Sequence, residues 1–277
     1  MTWPAPDLPF DFQNATISAD THPSAHNDTN LSLNDDYRPE IIRLGDVVIA
    51  LGLGSAPDVG KNNTPGASSF EKAAFPNLVF VRVMMGGGGG GGGGAGPTQA
   101  AEAAAGAGGG GGGYCETIIL AADLAVSEPY TVGAGGNGGS GSNPGLSGTS
   151  SSGFGLSADP GQGGTGAGGV AFEFANQLPG NGGGTSGTRT LFKNGLTGGT
   201  PTSPGQRNFG GPGGASMWGY GGGGGNAITA VGQPGVDGTL GQGGGGAANR
   251  PSQGTTRSGG DGGNGFVWIE SWSKPPA

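Results

Sequence analysis

The run VFVRVMMGGGGGGGGG, residues 79–94, sets the sharpest limit on what this chain can form. Apolar, β-branched residues pass directly into nine glycines. Glycine loses more conformational freedom on ordering than any other residue, and fixing a backbone costs about 1–2 kcal/mol per residue. Only dense main-chain hydrogen bonding and close packing can offset that cost. Such blocks either remain flexible coil or pack main chain directly against main chain.

The distribution of glycine bears on this choice. Of 71 glycines in 277 residues, five fall in residues 1–85 and 66 in the remainder. The chain thus has two compositional zones that meet near Met85. Collagen is excluded, because its triple helix needs glycine at every third position without interruption, whereas here glycine is blocked (86–94, 108–113, 221–225, 243–246). Composition alone fits a coil equally well. The segments between the blocks favour a fold, since a disordered tail rarely closes on FVWIESW.

Strands are predicted at Leu78–Met85, Tyr114–Leu120, Tyr130–Val132, Ser151–Phe154 and Phe266–Trp272, from β-branched and aromatic runs bounded by glycine. Alternation puts Tyr114, Glu116 and Ile118 on one face and Cys115, Thr117 and Ile119 on the other. The insertion AGPTQAAEAAAGAG reads as a helical turn or an exposed loop. Residues 54–77, with three prolines, read as a loop or linker. Upstream, Pro23 fits the first position of a short helix. Val47–Leu51 reads as a buried strand, or as part of a helix from Pro39. The expected domains are 1–77, an N-terminal region with linker, and 78–277, a glycine-rich domain.

Several functions are disfavoured at once. The net charge of −8 and pI near 4.5 leave no basic stripe for nucleic-acid phosphates. No apolar stretch is long enough to span a bilayer, and MTWPAPDLPFDF lacks the pattern of a secretory signal. The single cysteine, Cys115, permits no intrachain disulfide and reads as a small buried residue. GLGSAPDVG resembles a dinucleotide loop only superficially, because Pro57 takes the place of the third glycine and no βαβ unit follows. His22 and His26 would share a helix face near Asp20 and Asp28, but solvated or capping histidines are the simpler reading, so no metal and no cofactor are expected. Asp35, Asp36 and Glu40 form the only close acidic group, and the acids of the glycine zone are isolated. No enzyme is expected.

The order VFVRVMM, glycine block, YCETIIL, PYTVGAGG, SSGFG and a closing GFVWIESW resembles the glycine-rich domain of bacteriophage minor tail proteins and tail-fibre adhesins, over about residues 78–277. HPSAHNDTNLSLN also resembles a segment near the start of many phage tail proteins. The resemblance implies a mostly β and irregular fold: a small N-terminal attachment region, then a strand-anchored domain of packed polyglycine II helices. These have three residues per turn and no internal hydrogen bonds, so buried amides must pair between helices. It further implies attachment and oligomerisation through residues 1–77 and a homotrimer on the virion, assembled in the bacterial host cytoplasm, with other tail proteins and a host-surface glycan or protein as partners. The expected function is a receptor-binding adhesin. The alternative is a purely structural virion component, at the tail tip or as a capsid decoration. An ice-binding bundle would need a regular array of Thr or Ala, which the irregular block spacing argues against.

Aromatic and basic residues between the glycine runs are the receptor-binding candidates: Phe172, Phe174, Arg189, Phe192, Arg207, Phe209, Trp218 and Tyr220. Loops on a rigid scaffold carry function, aromatic faces suit sugars, and arginine suits charged glycans. The competing reading is that these rings cap the helical stack or pack between subunits.

Overall fold

The structure is a computed structural model and describes residues 57–171, 178–187, 191–202, 208–217, 219–225 and 232–274. The short helix predicted after Pro23 and the element predicted at 47–51 lie outside the described residues.

In chain order the strands are β1 (Asp58–Asn62), β2 (Gly66–Glu71), β3 (Leu78–Gly86), β4 (Glu102–Ala105), β5 (Tyr114–Leu120), β6 (Ser127–Val132), β7 (Ser151–Gly153), β8 (Leu156–Ala158), β9 (Val170–Ala171), β10 (Thr185–Gly187), β11 (Leu191–Lys193), β12 (Ala248–Asn249) and β13 (Phe266–Ser273). One antiparallel sheet runs β1-β13-β3-β5-β11 and a second runs β10-β8-β7-β6-β2. The mostly β character expected from the sequence is observed.

The two sheets enclose the main apolar core. Alternation turns Val81, Val83, Met85, Cys115, Val267 and Ile269 inward from the first sheet, to meet Phe70, Val132, Leu156 and Ala158 from the second. Cys115 is buried, as expected. Two expectations need correction. Residues 54–77 are not simply a linker. Val59 and Phe70 seed β1 and β2, which complete the edges of both sheets by pairing with β13 and β6. The insertion at 95–108 holds no helical turn, and it is an exposed loop only in part, at 97–101. It forms β4, which pairs with β9 and β12, over a small cluster of Ala95, Ala104, Ala167 and Ala247.

Beyond Gly86 the hydrogen-bonding pattern changes period. Gly87, Gly90 and Gly93 donate to the carbonyls of Gly113, Gly110 and Ala107. Gly88, Gly91 and Gly94 donate to Thr149, Leu146 and Asn143, and Gly89, Gly92 and Ala95 to Gly263, Gly260 and Arg257. The carbonyls accept on the same period: Gly88, Gly91 and Gly94 from Gly161, Gly164 and Ala167; Gly89 and Gly92 from Gly136 and Gly139; Gly90 and Gly93 from Gly244 and Ala247. Descending partner numbers mark three antiparallel neighbours and ascending ones three parallel neighbours. Segment 87–95 is thus enclosed on all sides by other main chains.

Segments 106–113 and 241–248 are enclosed in the same way, and the three bond to one another. Around them runs a ring that follows chain order: 133–140, 143–150, 159–168, 178–184, 195–200, 208–216, 219–225, 232–239 and 257–265, the last bonding back to the first. The sheets grow out of one end of this bundle, since β3 leads into 87–95, β5 follows 106–113 and β13 follows 257–265.

Enclosure explains where glycine is required. In the inner segments a Cβ on Gly90, Gly91 or Gly92 would overlap the carbonyl oxygen of Gln162, Asn137 or Gly245. Every direction is occupied, so the middle positions of these segments must be bare, and the side chains of Ala95, Ala107, Gln242 and Ala247 stand only toward their ends. Ring segments bonded to four neighbours free one position in three for a side chain: Gly-Gln-Gly and Gly-Thr-Gly at 161–166, Gly-Asp-Gly and Gly-Asn-Gly at 260–265. Ring segments bonded to three can keep one glycine in three, as in GLSGTS (145–150) and GVDGTL (235–240). The glycines kept there, Gly145, Gly148, Gly235 and Gly238, are those whose Cβ would meet the main chain of an inner segment.

Candidate functional site

The structure separates the predicted site residues. Phe172, Phe174, Arg189, Arg207 and Trp218 lie outside the described residues. Phe192 sits on the edge strand β11 opposite Cys115 and is 56% exposed. Tyr220 starts segment 219–225 at the same end of the bundle and is 91% exposed. Phe209 is half-buried at the opposite end, where its main chain exchanges two hydrogen bonds with Thr202. The described candidates therefore do not converge on one site.

The face of the first sheet turned away from the core gathers a set that the sequence reading did not single out. Period two brings Phe80, Arg82 and Met84 on β3 beside Phe266, Trp268, Glu270 and Trp272 on β13, and beside Tyr114 and Glu116 on β5. Arg82 lies between two carboxylates, 3.0 Å from Glu116 and 3.5 Å from Glu270. Burial works against its charge, but Glu116 and Glu270 outweigh that and hold its pKa above the ordinary value. The Tyr114 hydroxyl donates to Glu116 at 2.5 Å. Burial, reinforced by that carboxylate, raises the Tyr114 pKa well above the phenol range.

Aromatic rings flank this cluster. Phe80 and Trp272 stack at 5.7 Å, Phe266 and Trp268 pack at 4.8 Å, and the Lys61 ammonium sits 5.1 Å from the Trp268 ring centre. The alternation Trp268, Glu270, Trp272 was the available signal, with Arg82 the lone charge in an otherwise apolar strand. The arrangement is one guanidinium shared by two carboxylates, set in an aromatic layer. Among the described residues no group of three or more His, Cys, Asp or Glu is placed to hold a metal. No described helix is long and apolar enough to cross a membrane.

The outer surface of the ring is a second recurring feature. Outward main-chain donors are met by polar side chains of the adjoining segment: Gly138 N–H by Asp261 Oδ1, Gly135 N–H by Asn264 Oδ1, and Asp261 N–H by Asp237 Oδ1. Side chains thus extend the main-chain network where it reaches solvent.

A family model described as a glycine-rich domain matches residues 60–272. The chain belongs to the glycine-rich domain family. The limits of the match fall inside β1 and β13, which pair so that Gly60 stands beside Ile269. The glycine-rich domain is therefore closed by its own first and last strands, and it includes β1 and β2. Comparison with curated proteins gives no match.

Proposed function

We propose that this protein is a bacteriophage tail-fibre or tail-tip component acting as a receptor-binding adhesin, and that its glycine segments are polyglycine II helices. The observation that carries this reading is the main-chain bundle. Its hydrogen bonds run between segments and return to the same neighbour at every third residue. That is the pattern expected of threefold helices that make no internal bonds. Such a bundle is a stiff support for presenting turns at its ends, and the order of strands and glycine blocks resembles that of phage tail adhesins. The N-terminal region would dock to other tail proteins and hold a homotrimer, with a host-surface glycan or protein bound at the other end.

The helical assignment has its own test. Amides of residues 89–93, 109–111 and 244–246 should exchange hydrogen only through opening of the whole domain, the slowest class in the molecule. Exchange of these amides at the rate of a flexible glycine linker would remove the polyglycine reading.

The adhesin reading is tested by binding. Purified full-length protein should bind host cells and compete with particles for adsorption. Particles lacking it should adsorb at least tenfold less. Normal adsorption without it would instead favour a purely structural virion component. The scatter of Phe192, Tyr220 and Phe209 over both ends of the bundle already speaks for that second reading. Imaging its position on the particle would separate the two, since an adhesin belongs at a distal tip and a decoration protein in a lattice.

A further inference from the structure

The chain contains four Asn-Gly pairs, at 137–138, 181–182, 194–195 and 264–265, and all four lie in ring segments or directly beside them. Asn-Gly is the pair most prone to self-modification, because the unhindered glycine nitrogen can attack the asparagine side-chain carbon. All four asparagines expose their side chains, so side-chain access does not distinguish them. The glycine N–H does. Gly138 N–H donates to Asp261 Oδ1 at 2.7 Å. Gly195 N–H donates to the Gly183 carbonyl at 3.0 Å, and Gly265 N–H to the Gly133 carbonyl at 2.9 Å. Among the described residues Gly182 N–H has no such acceptor. Its neighbours Gly180 and Gly183 donate inward to Gly108 and Gly111, which leaves the amide of Gly182 at the half-exposed outer side of its segment.

We infer that Asn181 is an autonomous deamidation site and that the bundle protects the other three pairs. In the step, the Gly182 main-chain nitrogen loses its proton and bonds to Asn181 Cγ. The Cγ–Nδ2 bond breaks and ammonia leaves, giving a cyclic imide. Water then opens the ring at either carbonyl. One opening gives aspartate, and the other gives isoaspartate, in which the main chain runs through the former side chain.

A nitrogen whose N–H is held by a carbonyl or carboxylate cannot turn toward its neighbour's side chain without breaking that bond. In an inter-segment network this also means displacing the segment. Both products add a negative charge next to Gln162, whose Oε1 now accepts from Asn181 Nδ2 at 3.2 Å. Isoaspartate additionally lengthens the main chain by one methylene just before Gly183, whose N–H bond to Gly111 fixes the register of the segment.

The test is peptide mapping by mass spectrometry of the full-length protein, aged in mildly alkaline buffer, with a urea-unfolded sample beside it. In the folded protein Asn181 should convert at least tenfold faster than Asn137, Asn194 or Asn264, while unfolding should bring the four rates together. A second sample, Asp261→Ala, removes the acceptor of Gly138 and should raise conversion at Asn137 several-fold, leaving Asn194 unchanged. Equal rates at the four sites in the folded protein would overturn the inference. So would no conversion at Asn181 over a time in which the unfolded chain converts all four.

Discussion

Replacing Gly91 by alanine is expected to lower stability by about 3 kcal/mol or more, at or beyond the upper end of ordinary overpacking. The added methyl would fall on the main-chain carbonyl of Asn137, far inside the roughly 3.5–4 Å of favourable contact. A side chain in that place could change rotamer. A carbonyl cannot, because the segment that carries it is tied to its other neighbours: Leu146 N–H donates to Asn137 O, and Gly139 N–H to Gly92 O. The methyl must therefore push segments 87–95 and 133–140 apart.

Gly168→Ala provides the control, since nothing lies within 4 Å of its Cβ position. That change should alter stability by at most about 1 kcal/mol, with stabilisation the more natural sign because the unfolded chain loses freedom. Thermal unfolding of both variants followed by circular dichroism decides the matter. Equal midpoints for the two would mean that the inner glycines are not packed main chain against main chain.

That contrast also shows which parts of the fold could be read from the sequence. The strands β3, β5 and β13 were legible because their pattern is local: apolar or β-branched residues in period two, bounded by glycine. The nine glycines at 86–94 narrowed the outcome only to flexible coil or main chain packed on main chain, because ordering glycine costs the most entropy. The number of neighbours around each segment was not. GLSGTS and GVDGTL look like loops until their glycines are seen to face the inner segments. β1 and β2 were missed because DVGKN and GASSFE contain glycine and small polar residues, and only pairing with β13 and β6 makes them strands. β4 was missed because an alanine-rich run has no period of its own.

The candidate residues fared less well for a related reason. Aromatic residues between glycine blocks are equivalent in a linear reading, yet successive segments run in opposite directions. Rings that are close in sequence therefore alternate between the two ends of the bundle. The cluster of Arg82, Glu116 and Glu270 joins three strands separated by long stretches of chain, so no local spacing announces it.

The other large effect is expected at the junction where sheet becomes bundle. Gly86 is the last residue of β3, and the Phe266 ring lies across it so closely that a Cβ there would overlap the ring. Phe266 is 1% exposed and packs with Trp268 at 4.8 Å and Tyr114 at 6.3 Å. Phe266→Ala should cost about 3–5 kcal/mol, the range for removing a buried phenylalanine, which lowers the unfolding midpoint by about 10 °C. The effect should also reach further than an ordinary cavity. Without the ring, the first bare residue of the inner segment loses its cover on that face, while Phe266 is itself the continuation of segment 257–265. Hydrogen exchange at Gly87–Gly89 should therefore quicken more than exchange at Gly92–Gly94. A uniform change along 87–94 would instead mean that sheet and bundle open as one unit, with no weak point where the side chains stop.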